Sequence, residues 1–146
     1  MTHRKVLLLF FPVFIIIVTS FRVQQTEPWA PNQLMHPGNL AAIINHPATV
    51  NPLIISVGPG ALIKGSVDIG PANDTANLGK LRQVLATEKK DREIVIYCGC
   101  CPFEHCPNIR PAFLLLNEMK FTHHKLVSLP HNIKVDWIDK GYPTTE

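Results

Sequence analysis

The chain has 146 residues, of which 46% are apolar, enough for one domain with a single buried core. Its formal net charge is +3, from 14 basic and 11 acidic residues with no basic stripe, and this argues against a nucleic-acid partner. The 13 prolines and eight glycines are scattered, so no low-complexity tract interrupts the chain, and no internal repeat is visible.

Arg4 and Lys5 precede an apolar run of thirteen residues, Val6 to Val18, broken only by Pro12, and Thr19-Ser20 supplies small residues for cleavage. This is the pattern of a secretory signal peptide. A membrane-spanning helix needs roughly 20 apolar residues. The run is shorter, so cleavage is favoured and a retained anchor is the alternative. The expected organisation is a signal segment over 1–20, a linker or arm over 21–34 and one domain over 35–146. Removing Arg4 and Lys5 leaves twelve basic against eleven acidic residues, a net charge of +1. Export to a periplasmic or extracellular space brings an oxidising compartment in which cysteines can pair. Contact with a membrane is expected only if the N-terminal segment stays attached.

Phe21 to Gln33 is polar and contains proline, and Trp29 is expected to anchor it to the domain. Pro37-Gly38-Asn39 opens a short helix with Leu40, Ile43 and Ile44 on one face, ending before Pro47. Pro52 to Val57 is an apolar, β-branched run and reads as a buried strand, broken by Gly58-Pro59-Gly60. A second short strand is expected near Gly65-Ser66-Val67. Asp74 or Thr75 caps a helix carrying Leu78, Leu81 and Leu85. The charged cluster Glu88 to Arg92 reads as its solvated end. Glu93 to Cys98 is another buried strand, and Asn108, as N-cap, starts a helix to Met119 with Pro111 in its first turn. Leu126 to Leu129 is a strand. His131 to Lys140 is a last helix carrying Ile133 and Trp137, the latter as core packing. Strand and helix patterns alternate, which predicts an α/β fold with a central parallel sheet and helices on both faces.

All four cysteines fall within nine positions: Cys98, Cys100, Cys101 and Cys106. They occupy a loop of about ten residues between strand and helix, longer than the usual 2–6. Such a loop, at the carboxyl end of a strand and facing a helix N-terminus, is where open α/β sheets place their chemistry. A thiol there is favoured as thiolate by the loop N–H groups and the helix dipole. The clustering points to a site rather than to a disulfide framework.

Ile94-Val95-Ile96-Tyr97-Cys98 resembles the rhodanese, or sulfurtransferase, family, which puts its nucleophilic cysteine directly after a central strand in a loop leading into a helix. Ile54 to Val57 resembles that family's first core strand. Ile63-Lys64-Gly65-Ser66 resembles its Ile-Pro-Gly-Ala turn, and Asp136 to Pro143 its Trp…Gly…Pro ending. The likeness covers Met35 to Thr145. It departs from the family at Ser56 and Gly58, where Asp and Arg are usual, and at Leu62, where His is common. The loop is also longer and has three extra cysteines.

The resemblance implies a rhodanese-like fold and a sulfurtransferase that moves sulfane sulfur through a Cys98 persulfide. The donor would be a small molecule such as thiosulfate, and the acceptor a thiol or cyanide. No cofactor is implied. Cys98 is the expected catalytic residue. Gly99, Cys100, Cys101, His105 and Arg110 are the expected substrate-binding set. Gly99 would allow a tight turn of N–H groups, Arg110 would bind an anionic donor, and His105 would lower a cysteine pKa or move a proton. Glu104 reads as exposed, and His123 and His124 as surface histidines. Cys100, Cys101 and Cys106 admit three readings: resolving thiols, a structural disulfide, or ligands for a soft metal such as Cu(I). Zinc is the weakest metal reading, because structural zinc sites usually show two separated ligand pairs. No metal ligand is assigned.

Two other functions compete. Cys98-Gly99-Cys100-Cys101 contains Cys-x-x-Cys after a strand, as in thioredoxin-like oxidoreductases, and Pro130 would mimic the later proline of that fold. That fold needs two strands after this helix, whereas only Leu126 to Leu129 reads as one. A non-catalytic module for copper or a partner protein is the third reading.

Overall fold

The structure, a computed structural model, describes residues 27–48 and 51–145. The expected signal segment, and with it the question of export or anchoring, lies outside the described residues. Among the described residues no helix is long and apolar enough to cross a membrane.

Five strands form one all-parallel sheet: β1 (Leu34–Met35), β2 (Leu53–Ser56), β3 (Val67–Asp68), β4 (Ile94–Tyr97) and β5 (His124–Val127), in the order β1-β5-β4-β2-β3. Helices α1 (Pro37–Asn45), α2 (Thr75–Ala86) and α3 (Ile109–Glu118) supply the crossovers that parallel strands require. The protein is therefore of the α/β class. Strand β4 is central, with Ile96 in register with Ile55 of β2 on one side and Leu126 of β5 on the other. All four of its residues are fully buried.

Successive strand residues face opposite layers. Ile55, Ile94, Ile96 and Leu126 pack with Leu81 and Leu85 of α2 and with Ala112, Phe113 and Leu116 of α3. Ile54, Val95, Tyr97 and Val127 pack with Leu40 and Ala41 of α1, with Ile63 and with Trp137. Helices thus cover both faces. Their starts follow from local chemistry: Asp74 accepts from the Ala76 N–H at 2.7 Å, and Pro37 opens α1 beneath a His36 cap.

Three expectations are corrected. Leu34, expected at the end of the linker, instead opens an edge strand with Met35, paired with Leu126 and Val127; two residues carry no periodicity to read. Strand β5 begins at His124 instead of Leu126, and its ladder continues through the Ser128 N–H to the Met35 carbonyl at 3.0 Å. The last helix is one turn, α4 (Ile133–Asp136), followed by a 3-10 turn over Ile138–Lys140. Trp137 interrupts it with φ −131°, because its indole is drawn into the core, where Nε1 donates to the Pro143 carbonyl at 2.9 Å.

Trp137 is fully buried against Tyr142. Trp137→Ala should cost about 3–5 kcal/mol, as is typical for truncating a buried aromatic. Urea unfolding should show it as a lower midpoint with little change in slope.

Candidate functional site

Cys98 directly follows β4 at the carboxyl end of the sheet and is 3% exposed. The strand alternation sends Tyr97 to one layer and Cys98 to the other. The Tyr97 hydroxyl accepts from the Ile63 N–H at 3.2 Å and lies 3.0 Å from Ser66 Oγ, which itself donates to the Ile63 carbonyl at 2.6 Å. The residue before the cysteine is therefore pinned by its hydroxyl, so the sulfur starts from a rigid backbone.

Gly58 lies beside that sulfur. A Cβ at position 58 would come within 2.6 Å of Cys98 Sγ, so no larger residue fits without displacing the thiol. Ser56 Oγ donates to the Gly60 carbonyl at 2.8 Å and shapes the turn after β2.

The loop that follows is fastened at several points. The Gly99 carbonyl accepts from the Ile133 N–H at 2.9 Å, and the Phe103 N–H donates to the Leu129 carbonyl at 2.9 Å. Phe103 is buried beneath Trp29, ring centroids 5.3 Å apart. A 3-10 turn over Phe103–His105 reverses the chain and returns Cys106 to the interior. The four sulfurs consequently meet. Cys98 to Cys100 and Cys100 to Cys101 are each 3.3 Å between Sγ atoms, and all four lie within 4.8 Å of one another. All four are free thiols.

Asn108 closes the site. It occupies the N-cap position of α3, as expected, but its side chain makes no capping bond. Oδ1 instead accepts from the Asn73 N–H at 3.1 Å, which fixes the amide orientation and turns Nδ2 toward Cys98 Sγ at 3.4 Å and Cys100 Sγ at 4.0 Å. Asn108 is 4% exposed. The sequence marks it as a cap; nothing in the spacing marks its amide as a sulfur donor.

These donors set the charge. The Cys106 thiol beside Cys98 is the largest influence lowering the Cys98 pKa, followed by the Cys100 backbone N–H and the Asn108 amide, and together they outweigh burial and hold it at about 5. Burial and the neighbouring sulfurs push Cys100 up to about 12. Cys106 is raised as well, because its proton is committed to Cys98. The cluster therefore carries a thiolate at Cys98, solvated by thiols and N–H groups rather than by water.

The other expected residues are placed as follows. Gly99 is next to Cys98, but the reason for glycine is close approach: a Cβ would meet Ile133 Cβ at 2.8 Å. His105 and Glu104 are exposed on the 3-10 turn, and neither joins the sulfur group. Arg110 is engaged elsewhere, at 2.6 Å from Glu27 and over the Trp29 ring at 5.6 Å. His123 is exposed, as expected. His124 is not: it is 4% exposed in β5, packed against Phe113, and burial lowers its pKa. Strand alternation turns it inward, which a pair of adjacent histidines does not reveal.

Searched against protein-family models and against curated proteins, the chain matches none. Among the described residues only β5 follows α3, so the second later strand that a thioredoxin-like fold needs is missing.

In reduced, chelator-treated protein, Cys98 should alkylate with a rate that rises through about pH 5. The thiolate is the nucleophile and its fraction grows with pH, so the rate should be flat near neutrality, where an ordinary thiol of pKa about 8.5 is still climbing. Asn108→Leu removes a donor to the thiolate and should move this midpoint upward. Peptide-resolved iodoacetamide labelling measures both, and a Cys98 midpoint near 8.5 in the parent would contradict the assignment.

Proposed function

We propose that this protein is a rhodanese-like sulfurtransferase that carries sulfane sulfur on Cys98. The observation that supports this most is the placement of Cys98 Sγ: at the end of the central strand, against the bare backbone of Gly58, with Asn108 and its fellow cysteines as donors. Its place directly after the central strand is the one the resembled family gives its nucleophile.

In the first half-reaction the Cys98 thiolate attacks the outer sulfur of thiosulfate. The sulfur–sulfur bond breaks, sulfite leaves with its electron pair, and Cys98 becomes a persulfide. In the second, cyanide or an acceptor thiolate attacks the terminal sulfur, and the Cys98 thiolate departs with the bonding pair. No net oxidation of the protein occurs. The same N–H donors that favour the thiolate favour the persulfide anion and make Cys98 a better leaving group. Arg110 can assist an anionic donor only by leaving Glu27, an exposed pairing of small stability.

The 3.3 Å contacts of Cys100 with Cys98 and Cys101 favour a second reading, thiol–disulfide exchange with an external disulfide as oxidant. The N-terminal segment, with Arg4 and Lys5 before Val6 to Val18, supports export for either chemistry. N-terminal sequencing of secreted material should find a start close to Phe21; intact Met1 in the membrane fraction would refute export.

Intact-mass spectrometry after incubation of the reduced, metal-free protein with thiosulfate decides between the chemistries. The parent should gain the mass of one sulfur atom. Cys98→Ser should gain none, while Cys101→Ser should still load. Loading retained by Cys98→Ser and lost by Cys101→Ser would move the nucleophile to Cys101. A loss of two hydrogens without sulfur gain on treatment with a small disulfide would favour the exchange reading.

A further inference from the structure

We propose that Cys98, Cys100, Cys101 and Cys106 together form a tetrahedral four-thiolate site for a single closed-shell metal ion of the zinc type. This goes beyond sulfur transfer and does not depend on it. A zinc ion bonds each thiolate at about 2.3 Å, which sets tetrahedral sulfurs about 3.8 Å apart. The four sulfurs here lie within 4.8 Å of one another, with Cys98–Cys100 and Cys100–Cys101 at 3.3 Å. Enclosing an ion therefore requires side-chain adjustments of about 1 Å or less.

The spacing Cys-x-Cys-Cys-x4-Cys lacks the two separated pairs by which zinc sites are recognised. The fold supplies what the spacing lacks. The end of a rigid strand presents the first ligand, and the Phe103–His105 turn carries the chain back to present the last. Backbone bonds from Phe103 to Leu129 and from Ile133 to Gly99 hold the loop in that course.

The donor set selects the metal. Among the described residues no histidine or carboxylate joins the four sulfurs, so the site is soft and suits Zn(II) or Cu(I) better than magnesium, calcium or manganese. Four sulfurs around one point favour four-coordinate zinc over Cu(I), which thiolates usually hold with two or three. An iron–sulfur cluster is larger than an ion and needs its cysteines farther apart. Asn108 supplies the outer contacts that a doubly negative zinc tetrathiolate requires, through Nδ2 to Cys98 and Cys100. On binding, the ion takes one electron pair from each sulfur, and the protons the thiols still carry pass to solvent. An ion so placed draws electron density from the Cys98 thiolate and lowers its nucleophilicity, so bound zinc slows the loading of sulfur onto Cys98.

The test uses the reduced full chain. Titration with Zn(II), followed by native mass spectrometry, should give one ion per chain. Co(II) as a surrogate should give the visible bands of a tetrahedral ion together with sulfur-to-cobalt charge transfer. Each of Cys98→Ser, Cys100→Ser, Cys101→Ser and Cys106→Ser should weaken zinc by more than the roughly 100-fold that an outer contact can account for. Circular dichroism confirms that each variant is folded. If one is not, the parent itself suffices: zinc should slow alkylation of Cys98, the thiolate of the metal-free cluster, and a chelator should restore it. No retained zinc, a Cys98 that zinc leaves as reactive as before, or more than one Cu(I) per chain without a tetrahedral cobalt species would each overturn the site. These measurements contain no sulfur donor, and sulfur loading is measured without metal. Failure of either reading is therefore seen separately from failure of the other.

Discussion

Alternation along β4 is the constraint from which the site follows. A strand this deeply buried has no freedom to slip, because a shift of one residue would exchange its two faces. Ile94, Ile96 and Cys98 must face α2 and α3, and Val95 and Tyr97 must face α1 and Trp137. Tyr97 secures the far side by fixing the turn at Ile63 and Ser66, and Cys98 inherits that rigidity on the near side. In the proposed sulfur transfer, a thiolate held this way does not have to be ordered at the moment of reaction.

The second constraint is charge in a confined space. Four thiols brought together do not all ionise, since each added negative charge raises the cost of the next. The negative charge settles where the donors are most numerous, at Cys98, while Cys100 and Cys106 stay protonated beside it. A cation among the sulfurs would reverse this logic, holding every sulfur as thiolate. On the readings proposed above, the same cluster is a single nucleophile without metal and a four-ligand cage with it.

The segment before β1 contributes by covering the loop. Trp29 packs at a tilt on Phe103 and edge-on against Phe113, and lies beneath the Arg110 guanidinium, which pairs with Glu27. The aromatic contacts are the stronger part, because a half-exposed ion pair adds little stability. Phe103 in turn lies between the cysteines in sequence, so the arm helps to hold the reversal that brings Cys106 back to Cys98.

Much of the fold was legible in the amino-acid order. The apolar runs at Leu53 and Ile94, the leucine spacing from Leu78 to Leu85 and the Asp74 cap are local signals, and local signals survive without knowledge of neighbours. The order also placed all four cysteines after the central strand and before a helix. Tertiary structure alone decided the rest. Whether His124 faces water or core depends on which strand pairs with β4. Whether Asn108 caps its helix or serves a sulfur depends on an N–H from Asn73, thirty-five residues away. Whether Cys106 lies far from Cys98 or against it depends on a turn anchored to Leu129 and Trp29. Each of these is a contact between distant segments, made only once the sheet has closed, and a linear order of residues carries no record of it.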